Sequence, residues 1–271
     1  MAPAAGYAQT RPLQTEEATT AGAGRIALEI GQDFMKDEPN FLTGQPRDRF
    51  DGPTLRLVYS PADSVEVDLE WVAWIATPSD PVLGSVSDFG DVTLRTKLRF
   101  VDGGERGPTF GARYVLTLPQ TEYEEGLGPN TLRMAAQLLF TQPLGRARLH
   151  LNAGIAIEDQ PDELHFQRDL FAFGAALEAR LTDTLRLLGE VAGKAGDGTP
   201  GTDERIEARA GVAWGSGRFG VDAAVRRGLA DADGTWGITA GVRIDLTPIR
   251  RTTSPGCAAG STRTPNAGRA A

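Results

Sequence analysis

The sequence predicts an all-β protein, a transmembrane antiparallel up-and-down β-barrel of about twelve strands. Three observations lead to this fold class. Apolar and polar residues alternate with a period of two along many segments, charged residues are confined to one of the two faces, and short connections alternate with long ones. Strands that cross an outer membrane have these features, because one face meets lipid and the other meets a polar interior.

The clearest alternation lies in residues 147–158. Every second residue from Ala147 is apolar, whereas the intervening positions carry polar or small residues such as Arg148, His150 and Asn152. The same pattern recurs in five later segments that end at Leu246, and the apolar face of these six segments carries no charge. An Arg or Lys at the middle of a lipid-facing wall would cost about 2–4 kcal/mol, which explains the exclusion.

Six earlier segments complete the count of about twelve strands, an even number as bacterial outer-membrane barrels require. Gln32 interrupts the apolar face of the first of them. The predicted segments are residues 26–34, 55–59, 65–75, 92–100, 110–118 and 132–140.

The connections predict an orientation, because such barrels have short periplasmic turns and longer outer loops. The short connections are residues 61–63, 143–145, 182–183 and 215–217, and the long ones are residues 38–51, 77–89, 119–130 and 159–168. With an even number of strands, both ends of the barrel domain are expected in the periplasm. Aromatic residues near the strand ends are expected to form girdles at the two membrane interfaces. These are Tyr59, Trp74, Phe89, Phe140, Phe171, Trp214, Phe219 and Trp236.

The composition excludes several classes of function. The net charge of −8 offers no basic field for nucleic acid, so no nucleic-acid partner is expected. One Cys, Cys257, excludes an intramolecular disulfide, and with only two His a zinc site is not expected. We expect no metal and no cofactor.

Three regions are predicted from the changes in pattern. Residues 1–24 form a signal-peptide remnant and an extended polar N-terminal segment, residues 25–246 form the transmembrane β-barrel, and residues 247–271 form a disordered tail rich in Pro, Thr, Gly, Ala and Arg. Gly6 and Ala8 fit the small residues that precede a signal cleavage site, which suggests a start within a longer signal sequence. A disordered N-terminus is the alternative interpretation of the same residues.

Three short stretches carry a resemblance to a known family. They are LQTEEA at residues 13–18 with GAGR at 22–25, FGDV at 89–92 with LRTK at 94–97, and LHLNAG at 149–154. With these stretches the chain resembles, over residues 13–246, the outer-membrane transporter family assigned to the MetA pathway of phenol degradation. The resemblance implies an outer-membrane barrel that passes hydrophobic or aromatic compounds, and it brings no catalytic motif.

The charged residues on the polar face are the candidate functional residues, because lumen charges set conductance and selectivity in channels. The basic candidates are Arg95, Lys97, Arg99, Arg113, Arg133, Arg148, Arg180, Arg186, Arg209 and Arg243, and the others are His150, Glu66, Asp68, Glu70, Glu178, Glu190, Glu207, Asp222 and Asp245. The ladder Arg95, Lys97 and Arg99 on one strand needs either an anion or partners. The acids Glu66, Asp68 and Glu70 on the preceding strand are the candidate partners, and the pairs would then be structural.

The sequence therefore predicts an outer-membrane channel or transporter of a Gram-negative bacterium, for passive passage of small, hydrophobic or aromatic solutes, and not an enzyme. Expected partners are the solute, outer-membrane lipid with lipopolysaccharide, and the barrel-assembly machinery. One alternative is a plugged structural or adhesive barrel without transport, and another is a soluble all-β protein. A third is a lipid-modifying enzyme built on His150, for which no serine lies on the same face. The acidic stretches 122–125 and 158–163 could bind a divalent cation, although neither has the spacing of a calcium loop.

Overall fold

The structure, a computed structural model, describes residues 11–159, 167–196 and 204–247, and there the chain forms fourteen strands in one antiparallel sheet. The strands are β1 (Arg25–Pro39), β2 (Pro46–Ala62), β3 (Val65–Val72), β4 (Ile75–Asp80), β5 (Gly84–Asp88), β6 (Val92–Val101), β7 (Thr109–Leu118), β8 (Arg133–Leu144), β9 (Ala147–Asp159), β10 (Gln167–Arg180), β11 (Leu185–Ala195), β12 (Arg205–Ser216), β13 (Phe219–Gly228) and β14 (Trp236–Asp245).

Twelve of these strands close a barrel, as the alternation predicts. Closure comes from β1, which pairs with β14 on one side and with β2 on the other. Each strand otherwise pairs with its neighbours in the chain, except that β3 pairs with β6 and leaves the β4–β5 hairpin outside the ring. Closure satisfies the backbone hydrogen bonds of every barrel strand, which a membrane environment requires.

The barrel has an inverted distribution of polarity, with charge inside and apolar side chains outside. Glu29 and Arg56 point into the barrel and are 1% and 3% exposed, whereas Leu138 and Ile155 point outward and are 68% and 56% exposed. An apolar exterior around a charged interior is the pattern of a membrane barrel and the reverse of a soluble β-sandwich. In the described ranges, no helix has the length and apolar character needed to span a membrane.

The second strand begins well before the predicted residues 55–59, because a bulge exchanges its two faces. Thr54 pairs with Gly31, but Asp51 pairs with Asp33, so β2 holds one extra residue at Gly52. Both Thr54 and Asp51 nevertheless line the interior. The inward positions are therefore even-numbered after the bulge and odd-numbered before it, and a search for a strict period of two stops there.

The predicted strand 65–75 ends early, which corrects the expectation that Ile75 faces lipid. β3 ends at Val72, and the chain then turns into the β4–β5 hairpin, which begins at Ile75 and continues through most of the predicted long connection 77–89. Ile75 is buried at the start of β4, whereas Trp74 in the turn is exposed. The apolar pattern continued across the turn, so the sequence alone did not show it.

The aromatic side chains lie near both ends of the barrel wall, as predicted for interfacial girdles. At the end with the long connections, Phe34 packs edge-on against Trp236 with ring centroids 5.8 Å apart, and Phe50 packs in the same way against Trp74 at 5.8 Å. At the end with the short turns, exposed Phe219 begins β13. Following the orientation expected from the lengths of the connections, we call the first end the outer end and the second the periplasmic end.

Candidate functional site

The interior of the barrel holds part of the chain itself. Residues 11–24, here called the lumen segment, leave the periplasmic end beside β1 and pass into the barrel. The Ala23 backbone N–H donates to the Asp63 carboxylate in the β2–β3 turn at 2.8 Å, and the Arg11 side chain reaches Thr239 in β14 at 2.8 Å. The sequence predicts this segment as polar and extended but does not predict its location.

Side chains of the wall satisfy the backbone of the lumen segment, which has no neighbouring strand. Glu190 accepts hydrogen bonds from the backbone N–H groups of Gln14 and Thr15 at 2.7 and 2.8 Å. The Asn152 side chain accepts from the Glu16 N–H at 2.7 Å and donates to the Glu16 carbonyl oxygen at 2.8 Å. A backbone group buried without a partner would be costly, so these wall residues hold the segment in place.

The Glu16 side chain is the centre of a buried ion-pair cluster. Its carboxylate oxygens lie 3.0 Å from Lys97 Nζ, 3.1 Å from Arg113 Nη1 and 3.8 Å from Arg56 Nη2. The next residue, Glu17, lies 3.6 Å from Arg148. Two carboxylates of the lumen segment thus meet four cations on the wall.

Glycines on the wall make room for the lumen segment. Gly31 and Gly241 are paired across β1 and β14, and the Arg11 guanidinium lies against both. A Cβ atom at Gly31 would lie 2.2 Å from Arg11 Cζ, and one at Gly174 would lie 2.6 Å from Thr15 Oγ1. A larger residue at either position would therefore force the facing side chain, Arg11 or Thr15, to move.

The predicted cation ladder of β6 is fully paired in the structure. Arg95 contacts Asp68 at 3.0 Å and Glu70 at 2.8 Å, whereas Lys97 contacts Glu66 at 2.8 Å in addition to Glu16. Arg99 pairs with Asp102 at 2.8 Å in the β6–β7 turn. The acids of β3 are therefore partners of Arg95 and Lys97, but not of Arg99.

The other predicted residues line the same interior, and most have partners there. The pairs are Arg133 with Asp91, Arg186 with Glu178, Arg209 with Glu207 and Glu190, Arg243 with Glu29, Asp245 with Arg25, and Asp222 with Arg11. Arg180 is exposed at the periplasmic end of β10. His150 is buried, and its Nδ1 lies 3.0 Å from Thr141 Oγ1.

Sequence reasoning missed the residues that organise the interior. Arg56 could have been found, because it lies between the outward-facing Leu55 and Leu57 and donates two 2.8 Å hydrogen bonds to Asp68. The alternation also places Arg226 on the polar face of its strand, although it was not among the candidate residues, and it pairs with Asp33 at 3.2 Å. Glu16 gave no such signal, because it lies in no strand and no period marks it.

Two adjoining cavities fill the barrel on the outer side of the lumen segment. One, of about 450 Å³, is lined by residues 11–14 and by five further arginines, together with Asp33, Asp51 and Glu70. The other, of about 540 Å³, opens towards the outer loops. The cavities share lining residues, among them Gln14, Asp51 and Ala135. The lumen segment therefore lies at the bottom of a two-chambered vestibule.

One wall of the vestibule is apolar, which is unusual for the inside of this barrel. Val115, Ala135, Ala156 and Leu170 lie directly opposite one another on β7, β8, β9 and β10 and form what we call the apolar row. The first three line the outer cavity together with Ala172. A solute in the vestibule would meet this row on one side and charged groups on the other.

The outer loops are joined by a buried polar cluster, here called the outer lock. Asp80 at the end of β4 accepts hydrogen bonds from Asn40 at 2.7 Å and from Arg47 at 3.2 Å. Arg47 also donates to the carbonyl oxygen of Gly126 in the β7–β8 loop. Asn40, Arg47 and Asp80 are all buried. The cluster therefore connects three separate outer connections.

Of the two acidic stretches proposed to bind a divalent cation, residues 122–125 lie in the β7–β8 loop and residues 158–163 begin at the end of β9. Glu158 lies in β9 and pairs with Lys194 at 2.6 Å, and residues 160–163 lie outside the described residues. Within the described ranges, no group of three or more His, Cys, Asp or Glu side chains is arranged to hold a metal ion.

Comparison with known proteins finds similarity to solved structures but no match by sequence. No family model matches the chain, and no curated protein matches it by sequence. The chain is similar to the COG4313 outer membrane channel from Pseudomonas putida F1, with 16% identity and a TM-score of 0.66, covering 84% of this chain and 98% of that one. It is also similar to the KdgM porin, with 8% identity and a TM-score of 0.53, covering 80% of this chain and 98% of that one.

These similarities support the fold of outer-membrane channels and not the particular family of phenol degradation. At such low identity, the activity and solutes of the similar proteins do not transfer to this chain. The twelve-stranded barrel, its polar interior and its resident lumen segment are therefore the features from which a function is argued.

Proposed function

We propose that this protein is an outer-membrane channel of a Gram-negative bacterium for passive passage of small solutes with an apolar body, such as aromatic compounds. The observation that carries the proposal is the vestibule, whose two adjoining cavities lie inside a closed barrel. Structures with the same fold that are described as a channel and a porin support it. The assignment to the outer membrane rests on the apolar exterior with its aromatic girdles.

The apolar row supports the class of solute. Charged and polar side chains alone would suit ions or sugars, whereas Ala135, Ala156 and Ala172 offer an apolar surface of small residues that leaves room for a flat ring. The charged groups that line the same cavity, among them Arg49 and Asp51, would meet the polar edge of such a solute. A pocket with an apolar wall and a few polar groups is typical of small-molecule sites.

Ion-current recordings with matched solutes test this proposal. The refolded full chain is placed in a planar bilayer, and either benzenesulfonate or methanesulfonate is added, which differ in the ring and not in the charge. We expect benzenesulfonate to interrupt the current and methanesulfonate to leave it nearly unchanged. Equal effects of the two sulfonates would contradict the aromatic class while leaving the channel intact.

Variants of the apolar row sharpen the test. Ala135→Ser with Ala156→Ser should shorten the interruptions caused by benzenesulfonate by roughly twofold to fivefold, because apolar contact is lost. Ala176→Ser is the matched control, since Ala176 is buried on β10 and lines neither cavity. The control should behave as the wild type does.

A plugged structural or adhesive barrel is the second candidate, and the lumen segment favours it. In that case the full chain would fold into a heat-resistant barrel that carries no current. A lipid-modifying enzyme is not proposed, because His150 is buried in the interior beside Thr141 and not on the lipid-facing wall. As partners we propose outer-membrane lipid with lipopolysaccharide and the barrel-assembly machinery, which fractionation of cell membranes and depletion of that machinery would test.

A further inference from the structure

We propose that the lumen segment is an internal constriction that sets both the size limit and the ion selectivity of the channel, with Glu16 as the selectivity-determining residue. This inference rests on the proposed channel function. It concerns which part of the molecule controls passage, and it assigns that control to residues 11–24 and not to the barrel wall alone.

The position of the lumen segment supports a constriction. Glu16 contacts Lys97 on β6, and Gln14, two residues earlier, donates a 2.9 Å hydrogen bond to Glu207 on β12. In the ring of twelve barrel strands, β6 and β12 are six strands apart in either direction and therefore lie opposite each other. The segment thus crosses the interior from wall to wall, and a solute from the vestibule must pass beside it.

The contacts of the segment show that it is seated and not loosely inserted. Six of its backbone N–H groups, from Gln14 to Ala23, donate to side chains of the wall at 2.7 to 2.9 Å. The acceptors belong to β3, β8, β9 and β11 and to the β2–β3 turn. A wall with an acceptor for each of these donors defines one path for the segment.

The charge of the segment supports its effect on selectivity. The described part before β1 carries Arg11, Glu16 and Glu17, a net charge of −1. If Glu16 and Glu17 were removed, Arg56 would still form its ion pair with Asp68, and Lys97 would still form its ion pair with Glu66. Arg113 would keep its hydrogen bond to the Gln137 amide oxygen but lose its ion pair with Glu16, and Arg148 would lose its ion pair with Glu17. The channel would become wider and more positive at the same level, so anions would be favoured.

Reversal potentials in a salt gradient and single-channel conductance test the proposal. Glu16→Gln should raise the permeability ratio of chloride to potassium at least twofold, because one buried negative charge is removed where the lumen segment crosses the interior. Glu105→Gln is the matched control, since Glu105 is exposed in the β6–β7 turn, and it should leave the ratio unchanged. Deletion of residues 11–23 should also raise the conductance at least twofold.

The outcomes separate this inference from the channel function. If both Glu16→Gln and the deletion variant had the conductance and selectivity of the wild type, the proposed constriction would be wrong, whereas the proposed channel function would still stand. A silent wild type with a conducting deletion variant would support the constriction and contradict an always-open channel. Silence of both folded proteins would overturn both proposals. If the deletion variant lacks the heat-dependent gel mobility of a folded barrel, Glu16→Gln and its control decide the matter.

Discussion

Glu190 shows at the scale of one residue why carboxylates are buried in the interior of this barrel. It is buried on β11, accepts two successive backbone N–H groups of the lumen segment, and lies 3.7 Å from Arg209. A carboxylate at this position replaces the neighbouring strand that the segment lacks, while the cation beside it balances the charge. Buried charges are tolerated where they are paired and hydrogen-bonded in this way.

Gly174 gives the first prediction at this scale. Gly174→Ala places a methyl group 2.6 Å from Thr15 Oγ1, so we expect it to displace the lumen segment and raise the single-channel conductance. Gly220→Ala is the control, because a Cβ atom there meets nothing closer than a backbone oxygen at 3.4 Å. Equal conductance of the two variants would mean that Gly174 does not position the segment.

Lys97 gives the second prediction. Lys97→Gln leaves Glu16 and Glu66 without the cation that now lies between them, so the channel should favour potassium over chloride by a further twofold or more. The shift of the reversal potential should be opposite in sign to that of Glu16→Gln. Arg99→Gln should have a smaller effect, since its partner Asp102 is exposed to solvent. Shifts of the same sign for Lys97 and Glu16 would contradict the assignment.

Sequence reasoning predicted the residues that obey the alternation and missed those that do not. Arg95, Lys97 and Glu66 could be placed on the inner face because each lies within an unbroken period of two. Their pairing across β3 and β6 could also be proposed. Glu16 could not be placed, because its position depends on contacts with strands up to 136 residues away in the chain, and no local pattern encodes them.

At the scale of elements, the outer lock joins three connections into one structure at the mouth of the vestibule. The β4–β5 hairpin supplies Asp80, the start of β2 supplies Arg47, and the β7–β8 loop supplies the Gly126 carbonyl oxygen. Leu127, next to Gly126, is 1% exposed. Loops packed in this way keep a defined opening, whereas solvated loops would not.

The outer lock gives a prediction about loop stability. Asp80→Ala leaves Arg47 buried without its carboxylate, a change that typically costs about 3–5 kcal/mol. We therefore expect rapid proteolysis in residues 119–132 of the folded barrel. Asp102→Ala also removes an ion pair, but Asp102 is exposed, so its loop should remain as resistant as in the wild type. Unchanged proteolysis of the Asp80 variant would contradict the lock.

The same cluster predicts a dependence on pH. Burial alone would raise the pKa of Asp80, but the backbone N–H groups of Leu83 and Val82, with Asn40 and Arg47, lower it below the ordinary value of 3.8. A lowered carboxyl pKa stabilises the fold above the unfolded value and loses its effect as the pH falls through the folded value. Hydrogen exchange in residues 119–132, corrected for intrinsic rates, should therefore stay slow at pH 5 and rise only below 3.8. A rise between pH 7 and 5 would contradict this.

Elements were predictable where the strand period was regular. The strands from β7 to β14 could be recognised from sequence, because each keeps one phase from end to end, and β6 could be recognised because its phase changes only at its last residues, between Arg99 and Val101. The bulge at Gly52 could not, because it changes the phase within β2, and the β4–β5 hairpin could not, because the apolar pattern continues across the turn before it. A change of phase is decided by pairing with β1 and β2, which a single strand does not reveal.

At the scale of the whole molecule, the barrel is a closed wall built around a piece of its own chain. Closure through β1 and β14 gives the wall its stability, and the lumen segment takes up much of the interior on the periplasmic side of the vestibule. The part of the chain that controls passage would then be positioned during folding of the barrel, because the lumen segment and the wall form hydrogen bonds and ion pairs with each other. A channel of this kind needs no separate plug domain.

We would first measure single-channel conductance of the refolded full chain in a planar bilayer, with a salt gradient across it. The channel account predicts small, stable current steps and a measurable reversal potential, because the vestibule is open and the lumen segment narrows the path below it. A barrel that is shown to be folded by its heat-dependent gel mobility, yet carries no current, would contradict the account and favour a structural role.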